Sequence, residues 1–302
     1  MGNIKNMLNH LTNTDLLLKH IYWFYEDLNI EPRKEHYGLS INYSDIKERR
    51  DDFLAELLNT IVNWVYHKSK QEKLFNDRLK DTDFGNAMSF IVNQAYSKFR
   101  PGHPQGQFGE LLLFNLIQNY YKAIPILRKQ RITTSLGHER FGADAIHYKN
   151  EENINVFILG ESKCYKSDYQ FNKAFKESIQ SIIKTFNDLD KELDLYLYDD
   201  FIEPELEELV KKYKQGKLEN IRYELVCLII YSENKEVLDN RGEEIIKSKI
   251  KKVIQDRCNS ISEDSFSNIE KAILARVNYI IFPIWNLDTL LNDFQNKVGS
   301  KK

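Results

Sequence analysis

The sequence predicts an α/β protein in which a mixed sheet is flanked by helices. Apolar runs bounded by turn residues indicate strands, and apolar residues at helical spacing indicate the helices between them. The chain has 302 residues, of which 42% are hydrophobic, with 12 Gly and 6 Pro, so a large ordered core can form. The predicted core contains, in chain order, a buried helix over 107–122, strands over 124–133, 142–148 and 153–163, a helix over 169–189 and a strand over 223–231.

The first hundred residues are predicted to be helical. The predicted segments are 16–28, where Leu17, Ile21, Phe24 and Leu28 have helical spacing, a helix beginning near Ser44 and Asp45, and a helix over 86–99. Two Pro and two Gly in residues 100–106 mark the clearest boundary. This boundary divides the chain into an N-terminal helical region, 1–100, and a domain over 101–302 that ends in a C-terminal helical extension. The N-terminal region is a candidate partner interface.

The C-terminal third is predicted to alternate between helices and one strand. The predicted segments are a solvated helix over 203–217, a helical stretch over 243–275, an apolar strand over 277–285 and a last short helix.

Composition and missing motifs exclude several classes of protein. The net charge of −2 argues against a protein that is basic over its whole surface, so any nucleic-acid contact must be a local patch. The three cysteines form no CxxC pair, which fits a reducing cytoplasm. We expect no membrane segment, because the longest apolar stretch is too short to span a bilayer. The sequence has no phosphate-binding loop or dinucleotide motif, so this chain should bind no nucleotide itself.

Two acidic residues and a lysine lie at the ends of neighbouring apolar strands. Asp144 lies in the strand over 142–148, and Glu161 and Lys163 end the strand over 153–163. Because side chains alternate along a strand, Glu161 and Lys163 point the same way. The strands are close enough in sequence to form a hairpin, which would bring Asp144 alongside Glu161.

Charges placed against a core are costly unless they are paired or bind a metal ion. Mg²⁺ prefers carboxylate oxygens, and one ion held by Asp144 and Glu161 could polarise a phosphodiester and lower the pKa of a bound water. Lys163 could position that water and neutralise charge that develops on the phosphate. The alternative for Asp144 and Lys163 is a structural ion pair at a strand end.

A third carboxylate, Glu110, lies on the core-facing stripe of the helix over 107–122, where it aligns with Leu113. A glutamate in such a stripe is unusual. Its position one turn inside the helix would let it reach a shared site, and Gly106 and Gly109 would allow close approach of the backbone. The alternative for Glu110 is a carboxylate favoured by the helix dipole.

A helix glutamate, a strand aspartate and Glu-x-Lys on the next strand form the pattern of the PD-(D/E)xK nuclease superfamily. The sequence around these residues resembles one branch more closely, the HamA family of nuclease subunits from the Hachiman anti-phage defence system. The segments that carry this resemblance are Phe108-Gly109-Glu110-Leu111-Leu112, residues 139–147 and Leu159-Gly160-Glu161-Ser162-Lys163-Cys164-Tyr165. The resemblance covers residues 100–235, and the superfamily's usual proline is replaced here by Ala143.

The resemblance implies a restriction-endonuclease-like core and Mg²⁺-dependent hydrolysis of DNA, with Mn²⁺ as a substitute ion. It also implies a helicase partner subunit of the HamB type, which restrains the nuclease until foreign or damaged DNA is sensed. By the same resemblance, Glu110, Asp144 and Glu161 bind the metal and Lys163 positions the water. All four are therefore expected to be catalytic.

Basic residues on both sides of the motif are consistent with a DNA path. The candidate DNA-binding residues are Arg128, Lys129, Arg131, Lys166, Lys173 and Lys176. Phosphate contacts from them would give affinity that is independent of sequence and weakens with salt. Tyr165 and Tyr169 could stack on bases. The alternative for each lysine or arginine is a solvated surface position.

Other polar residues near the motif have simpler interpretations. His103, His138 and His147 could be metal ligands or a general base, but structural histidines are commoner. Cys164 is predicted to be a packing residue, because no second Cys or base accompanies it.

Two further hypotheses compete with a DNA-cleaving subunit. One is a catalytically silent nuclease-fold module that binds DNA or a helicase. The intact Asp144, Glu161 and Lys163 argue against it. The other is cleavage of RNA, although the sequence has no recognisable RNA-binding motif.

Overall fold

The computed structural model describes residues 11–99, 102, 104–126, 143–167, 170–189, 193 and 206–299. The strands of the described residues are β1 (Ile21–Asp27), β2 (Glu35–Ile41), β3 (Tyr43–Ser44), β4 (Lys47–Glu48), β5 (Ile124–Pro125), β6 (Ala145–Glu151), β7 (Ile154–Tyr165), β8 (Ile221–Glu233) and β9 (Val277–Trp285). Seven of them form one sheet in the order β1-β2-β9-β8-β7-β6-β5, and β3 and β4 form a small hairpin. The strands β7, β8, β9 and β2 run parallel, whereas β1, β6 and β5 pair in antiparallel fashion.

Helices cover both faces of this sheet. They are α1 (Asp15–Leu18), α2 (Arg50–Asn59), α3 (Ile61–Val65), α4 (Lys68–Leu79), α5 (Phe84–Tyr96), α6 (Pro104–Tyr120), α7 (Phe171–Asn187), α8 (Glu207–Lys214), α9 (Glu243–Asn259), α10 (Lys271–Leu274) and α11 (Leu287–Gly299). The helices α2, α3, α5, α6 and α11 pack on one face, and α7, α8 and α9 pack on the other. A mixed sheet flanked by helices is the predicted α/β fold class, which is therefore confirmed.

Both apolar layers follow from alternation along the central strands. Val226, Leu228 and Ile230 of β8 face the layer of α6, whereas Leu225 and Cys227 face the layer of α7. A strand buried on both faces has a continuous apolar sequence, as parallel strands between helices commonly do. This is why the strands over 223–231 and 277–285 could be recognised.

The prediction of a helix over residues 16–28 is wrong. Leu17 lies in the one-turn helix α1, and the chain then enters β1, which pairs with β2 from Ile21↔Ile41 to Asp27↔Glu35. The apolar residues whose spacing suggested a helix are buried in separate elements: Leu17 in α1, Ile21 in β1 and Leu28 in the loop after β1. The aromatic sequence of β1 suits a pleated strand better than a helix.

The helix expected from Ser44 and Asp45 also begins later. Those residues belong to the β3–β4 hairpin, where Asp45 has a φ of 58°, and the helix starts at Arg50. The helical stretch predicted over 243–275 ends at Asn259, and a 3₁₀ turn and the short α10 follow it. The helices predicted over 86–99, 107–122 and 169–189 are confirmed as α5, α6 and α7.

The strands on both sides of residue 100 belong to the same sheet. β1 and β2 from the N-terminal region join β9, and α2 packs in the same apolar layer as α6. The predicted boundary therefore lies in a connection between elements that pack together. In the described part of the chain, no helix has the length and apolar character needed to cross a membrane.

Candidate active site

The predicted hairpin is present as β6 and β7, and it determines the positions of the motif residues. Its register pairs Ala145 with Gly160, so Asp144, one residue earlier, lies beside Glu161. On the other side, β8 runs parallel to β7 and pairs Glu161 with Cys227. The motif therefore lies toward the carboxyl end of a central strand, an edge where α/β proteins often place ligands.

Asp144 is fixed by hydrogen bonds to the motif strand. Its Oδ2 accepts a hydrogen bond of 2.8 Å from the backbone N–H of Ser162 and one of 3.0 Å from the Ser162 hydroxyl. Hydrogen bonds to a carboxylate are stronger than those between neutral groups. The carboxylate of Asp144 is thus held against β7 before any ligand binds.

Glu161 and Lys163 form an ion pair on one face of β7. The Nζ of Lys163 donates to Oε1 of Glu161 at 2.8 Å, and the side chains are 28% and 5% exposed, respectively. The other oxygen of Glu161, Oε2, is buried and accepts no hydrogen bond within 3.5 Å from the residues described. A buried carboxylate oxygen without a donor is costly, and a cation would compensate for it.

The electrostatics of the pair reflect burial and a neighbouring like charge. Burial and, to a smaller extent, the negative charge of Asp144 together raise the pKa of Glu161 to about 7, although Lys163 and the Ser181 hydroxyl act in the opposite direction. Although burial lowers the pKa of Lys163, its attraction to Glu161 and Asp144 raises that pKa above its ordinary value. Lys163 is therefore charged at neutral pH, and Glu161 ionises there less readily than an exposed glutamate.

Glu110 is carried to this region by α6. Gly109, its neighbour, packs so closely on β7 that a Cβ built on it would lie 3.0 Å from the Ser162 hydroxyl oxygen. Glu110 is half-buried, one residue beyond this contact. Among the described residues, no three His, Cys, Asp or Glu side chains are grouped so as to hold a metal ion. The structure therefore brings Asp144 and Glu161 together, while a third ligand from Glu110 stays a prediction.

Two further polar residues near the site, Glu177 and Ser181, were not predicted from the sequence. The Tyr165 hydroxyl donates a hydrogen bond to Glu177 of α7, and Glu177 is one of the charges that raise the pKa of Lys163. Ser181 lies one turn further along α7, close to Glu161. The one sequence signal for them was weak: Ser178 and Ser181 interrupt an otherwise apolar stripe on α7.

The predicted DNA-binding residues are only partly described. Lys166 is paired with Asp288 of α11 at 2.8 Å, Lys173 lies 3.8 Å from Glu177, and Lys176 is exposed on α7. Arg128, Lys129 and Arg131 lie outside the described residues, as does Tyr169. Of the three described lysines, two lie close to a carboxylate, and their contact with DNA stays a prediction.

Two of the other polar candidates, His147 and Cys164, occupy packed positions. His147 is fully buried, and its ring contacts that of Phe114 at a centroid distance of 5.7 Å. Burial raises the pKa of the Cys164 thiol to about 12, so it is not poised to act as a nucleophile. His103 and His138 lie outside the described residues.

A family model described as HamA matches residues 18–298. The chain belongs to the HamA family. The match confirms the resemblance that the motif segments indicated and extends it over most of the chain. Membership of HamA identifies the chain as a subunit of Hachiman defence systems. No curated protein matches the chain.

Proposed function

We propose that this HamA chain is the nuclease subunit of its defence complex and hydrolyses DNA phosphodiester bonds with a divalent metal ion. The observation that supports this function is the burial of Glu161 between Asp144 and Lys163. Two carboxylates and a lysine at the carboxyl end of a central strand form a charge arrangement that phosphodiester hydrolysis can use.

The chemistry of the donor set fits an oxygen-ligated cation such as Mg²⁺, or Mn²⁺ in its place. Asp144 and Glu161 would hold it, because both are carboxylates and the Oε2 of Glu161 has no donor within 3.5 Å among the described residues. Glu110 would contribute a third oxygen from α6. When bound, the ion would supply Lewis-acid polarisation of the phosphate and would acidify the attacking water.

The remaining steps belong to side chains of the chain itself. Ser162 keeps the Asp144 carboxylate oriented through two hydrogen bonds. Lys163, charged and held against Glu161, would orient the attacking water and stabilise the negative charge that develops on the phosphate. The exposed Lys176 and its basic neighbours on α7 would hold the DNA backbone through contacts that do not depend on sequence.

The partner in this proposal is a helicase subunit. The HamA chain has no phosphate-binding loop, so any dependence of cleavage on ATP must come from another subunit. Regulation by that subunit would keep a general DNA-cleaving activity inactive until the trigger is sensed. The first hundred residues stay the proposed contact region.

Nicking of supercoiled plasmid tests the proposal. The purified chain is assayed alone and with the helicase subunit and ATP, in Mg²⁺, in Mn²⁺ and in EDTA. We expect cleavage that depends on the metal and falls by at least about 100-fold in Lys163→Ala, because an electrostatic group acting on the transition state is removed. A matched control is Lys149→Ala, since Lys149 is a lysine of the same hairpin that pairs with Glu151 at 2.6 Å.

Equal cleavage by Lys163→Ala and the unmodified chain would contradict the assignment of the site. Absence of cleavage in every arm, including the one with the helicase and ATP, would favour the silent DNA-binding module. Cleavage of an RNA strand but not of the same DNA strand would replace DNA by RNA as the substrate.

A further inference from the structure

A pocket outside the candidate active site lies on the same edge of the sheet. It has a volume of about 360 Å³ and is bounded by the β3–β4 hairpin and by the loop that follows β8. Its lining includes Tyr43, Glu48, Val237 and Trp285. The volume falls within the range of ligand-binding clefts in proteins.

The walls of this pocket are held in place by hydrogen bonds. The indole N–H of Trp285 donates to the backbone oxygen of Lys235 at 2.8 Å. Oε1 of the buried Glu233 accepts from the backbone N–H groups of Asn234 and Lys235, and Arg257 also donates to Glu233. The loop after β8 is therefore fixed, and the pocket is already formed before a ligand arrives.

The charge of the pocket is set by Glu48. Its Oε1 is buried and lacks a hydrogen-bond partner among the residues described. Burial raises the pKa of Glu48 to about 7, although Arg50 acts in the opposite direction, so a cation in the pocket would stabilise the ionised carboxylate. A second acid, Glu236, lines the same pocket, while Lys235 is drawn away to Asp256 at 3.4 Å. The pocket is thus complementary to a cation and unsuited to a phosphate.

The rim of the pocket is apolar and exposed. Ile46 at the tip of the hairpin is 53% exposed, and Leu238 on the opposite loop is 48% exposed. A small cation bound to Glu48 would leave both side chains in water. A protein segment would cover them, since an apolar rim around a charged anchor is suited to docking of a partner.

We propose that this pocket docks a partner protein by taking one arginine or lysine side chain onto Glu48 while apolar residues of the same segment cover Ile46 and Leu238. The stem of the basic side chain would lie between Tyr43 and Trp285, and its charged end would pair with the carboxylate of Glu48. The site is separate from the nuclease residues and does not depend on their assignment.

Binding of short peptides to the full chain tests this proposal. The probes are acetyl-leucyl-arginyl-leucinamide, the same peptide with citrulline in place of arginine, and butylguanidinium. The readout is the NMR signals of the three indole N–H groups, because Trp285 lines the pocket, whereas Trp23 and Trp64 lie outside it. We expect the arginine peptide to shift the Trp285 signal at millimolar concentration, and the citrulline peptide to bind at least about tenfold more weakly.

Two variants keep the test independent of folding. Glu48→Gln keeps the shape of the side chain and should weaken the arginine peptide by at least about tenfold. Leu238→Ser replaces an exposed apolar rim residue by a polar residue without charge and should also weaken binding of the arginine peptide, while Glu72→Gln on α4 should have no effect. Equal binding of the arginine and citrulline peptides, or no shift of Trp285 at about 5 mM peptide, would overturn the proposal. So would butylguanidinium binding as tightly as the peptide, because the occupant would then be a small cation.

Discussion

The carboxylate of Asp144 accepts two hydrogen bonds from one residue, Ser162, through its backbone N–H and its hydroxyl. Ser162 occupies the variable position of the Glu-x-Lys motif, between Glu161 and Lys163. The middle residue thus connects the two carboxylates of the candidate site, because it fixes Asp144 while its neighbours present Glu161 and Lys163.

Ser162→Ala should therefore slow DNA cleavage without unfolding the protein. The variant removes the hydroxyl donor and keeps the N–H donor, so we expect about a tenfold loss of kcat from the less rigid Asp144. Single-turnover cleavage over a series of Mg²⁺ concentrations would measure it. Ser232→Ala, on the adjacent strand β8, is the control, and an equal loss in that variant would contradict a specific role for Ser162.

Gly160 should be intolerant of any side chain. A Cβ at this position would lie 2.8 Å from Cδ1 of Ile117 and 2.9 Å from Cδ2 of Leu113, so the ends of both side chains would have to shift within the packed layer between α6 and β7. We expect Gly160→Ala to lower the free energy of unfolding by about 1–3 kcal/mol, as overpacking does. Gly106→Ala is a matched control in α6 itself, because nothing lies within 4 Å of its Cβ position, and it should stabilise the helix by about 0.5–1 kcal/mol.

Chemical denaturation of both variants at neutral pH would measure these changes. If Gly160→Ala were as stable as Gly106→Ala, the side chains of Leu113 and Ile117 would have accommodated the added methyl group, and the prediction would be wrong.

His36 should make the protein sensitive to acid. Its ring is buried, Nδ1 accepts from the backbone N–H of Tyr279 at 3.3 Å, and Nε2 lies 3.1 Å from the oxygen of Pro32. Burial lowers the pKa of His36 from 6.5 to about 4. Because the unfolded chain takes up the proton first, the stability that neutral His36 contributes is complete above pH 6.5 and is lost as the pH falls towards 4.

His36→Gln should remove this part of the pH dependence. Glutamine has an acceptor and a donor but does not titrate in this range. The decline in the free energy of unfolding between pH 7 and pH 4 should be shallower by about 3 kcal/mol in the variant. Denaturant titrations at several pH values would measure it, and parallel declines in the two proteins would show that His36 is not responsible.

Lys176 should contribute to DNA affinity through its charge alone. It is exposed on α7, so Lys176→Gln should weaken binding to all DNA sequences alike and reduce the salt dependence of the binding constant by about one phosphate contact. Binding measured at several salt concentrations would test this. Lys212→Gln on α8, where Lys212 pairs with Glu208 at 2.8 Å, is the control, and the same change of slope in that variant would indicate a general charge effect.

The centre of the candidate site could be predicted because its geometry is local in sequence. Asp144 and Glu161 belong to one hairpin, and alternation along β7 is enough to place Glu161 and Lys163 on one face. The contact between Tyr165 and Glu177 could not be predicted, because it depends on how α7 rotates against the sheet. The same holds for the pocket at Glu48, whose walls are far apart in the chain.

The N-terminal strands show where periodicity fails. Ile21 and Phe24 fit a helical stripe, but each is buried by a different neighbour, since Ile21 belongs to the layer of α6 and Phe24 packs against the opposite layer. Pairing of β1 with β2, and of β2 with β9, decides their structure. Contacts between residues so far apart in sequence leave no periodic signal in a single chain.

The two close approaches of α6 to β7, at Gly109 and Gly160, affect how the proposed nuclease activity could change during evolution. At both positions the close approach depends on the absence of a Cβ, so the position of α6, which carries Glu110, is coupled to the packing of its apolar layer on β7. A substitution in the apolar layer beneath α6 could therefore tilt the helix and alter the reach of Glu110 while every acidic residue stays intact. Natural variants could therefore lose or change the proposed activity through substitutions in the core, while the residues of the motif stay the same.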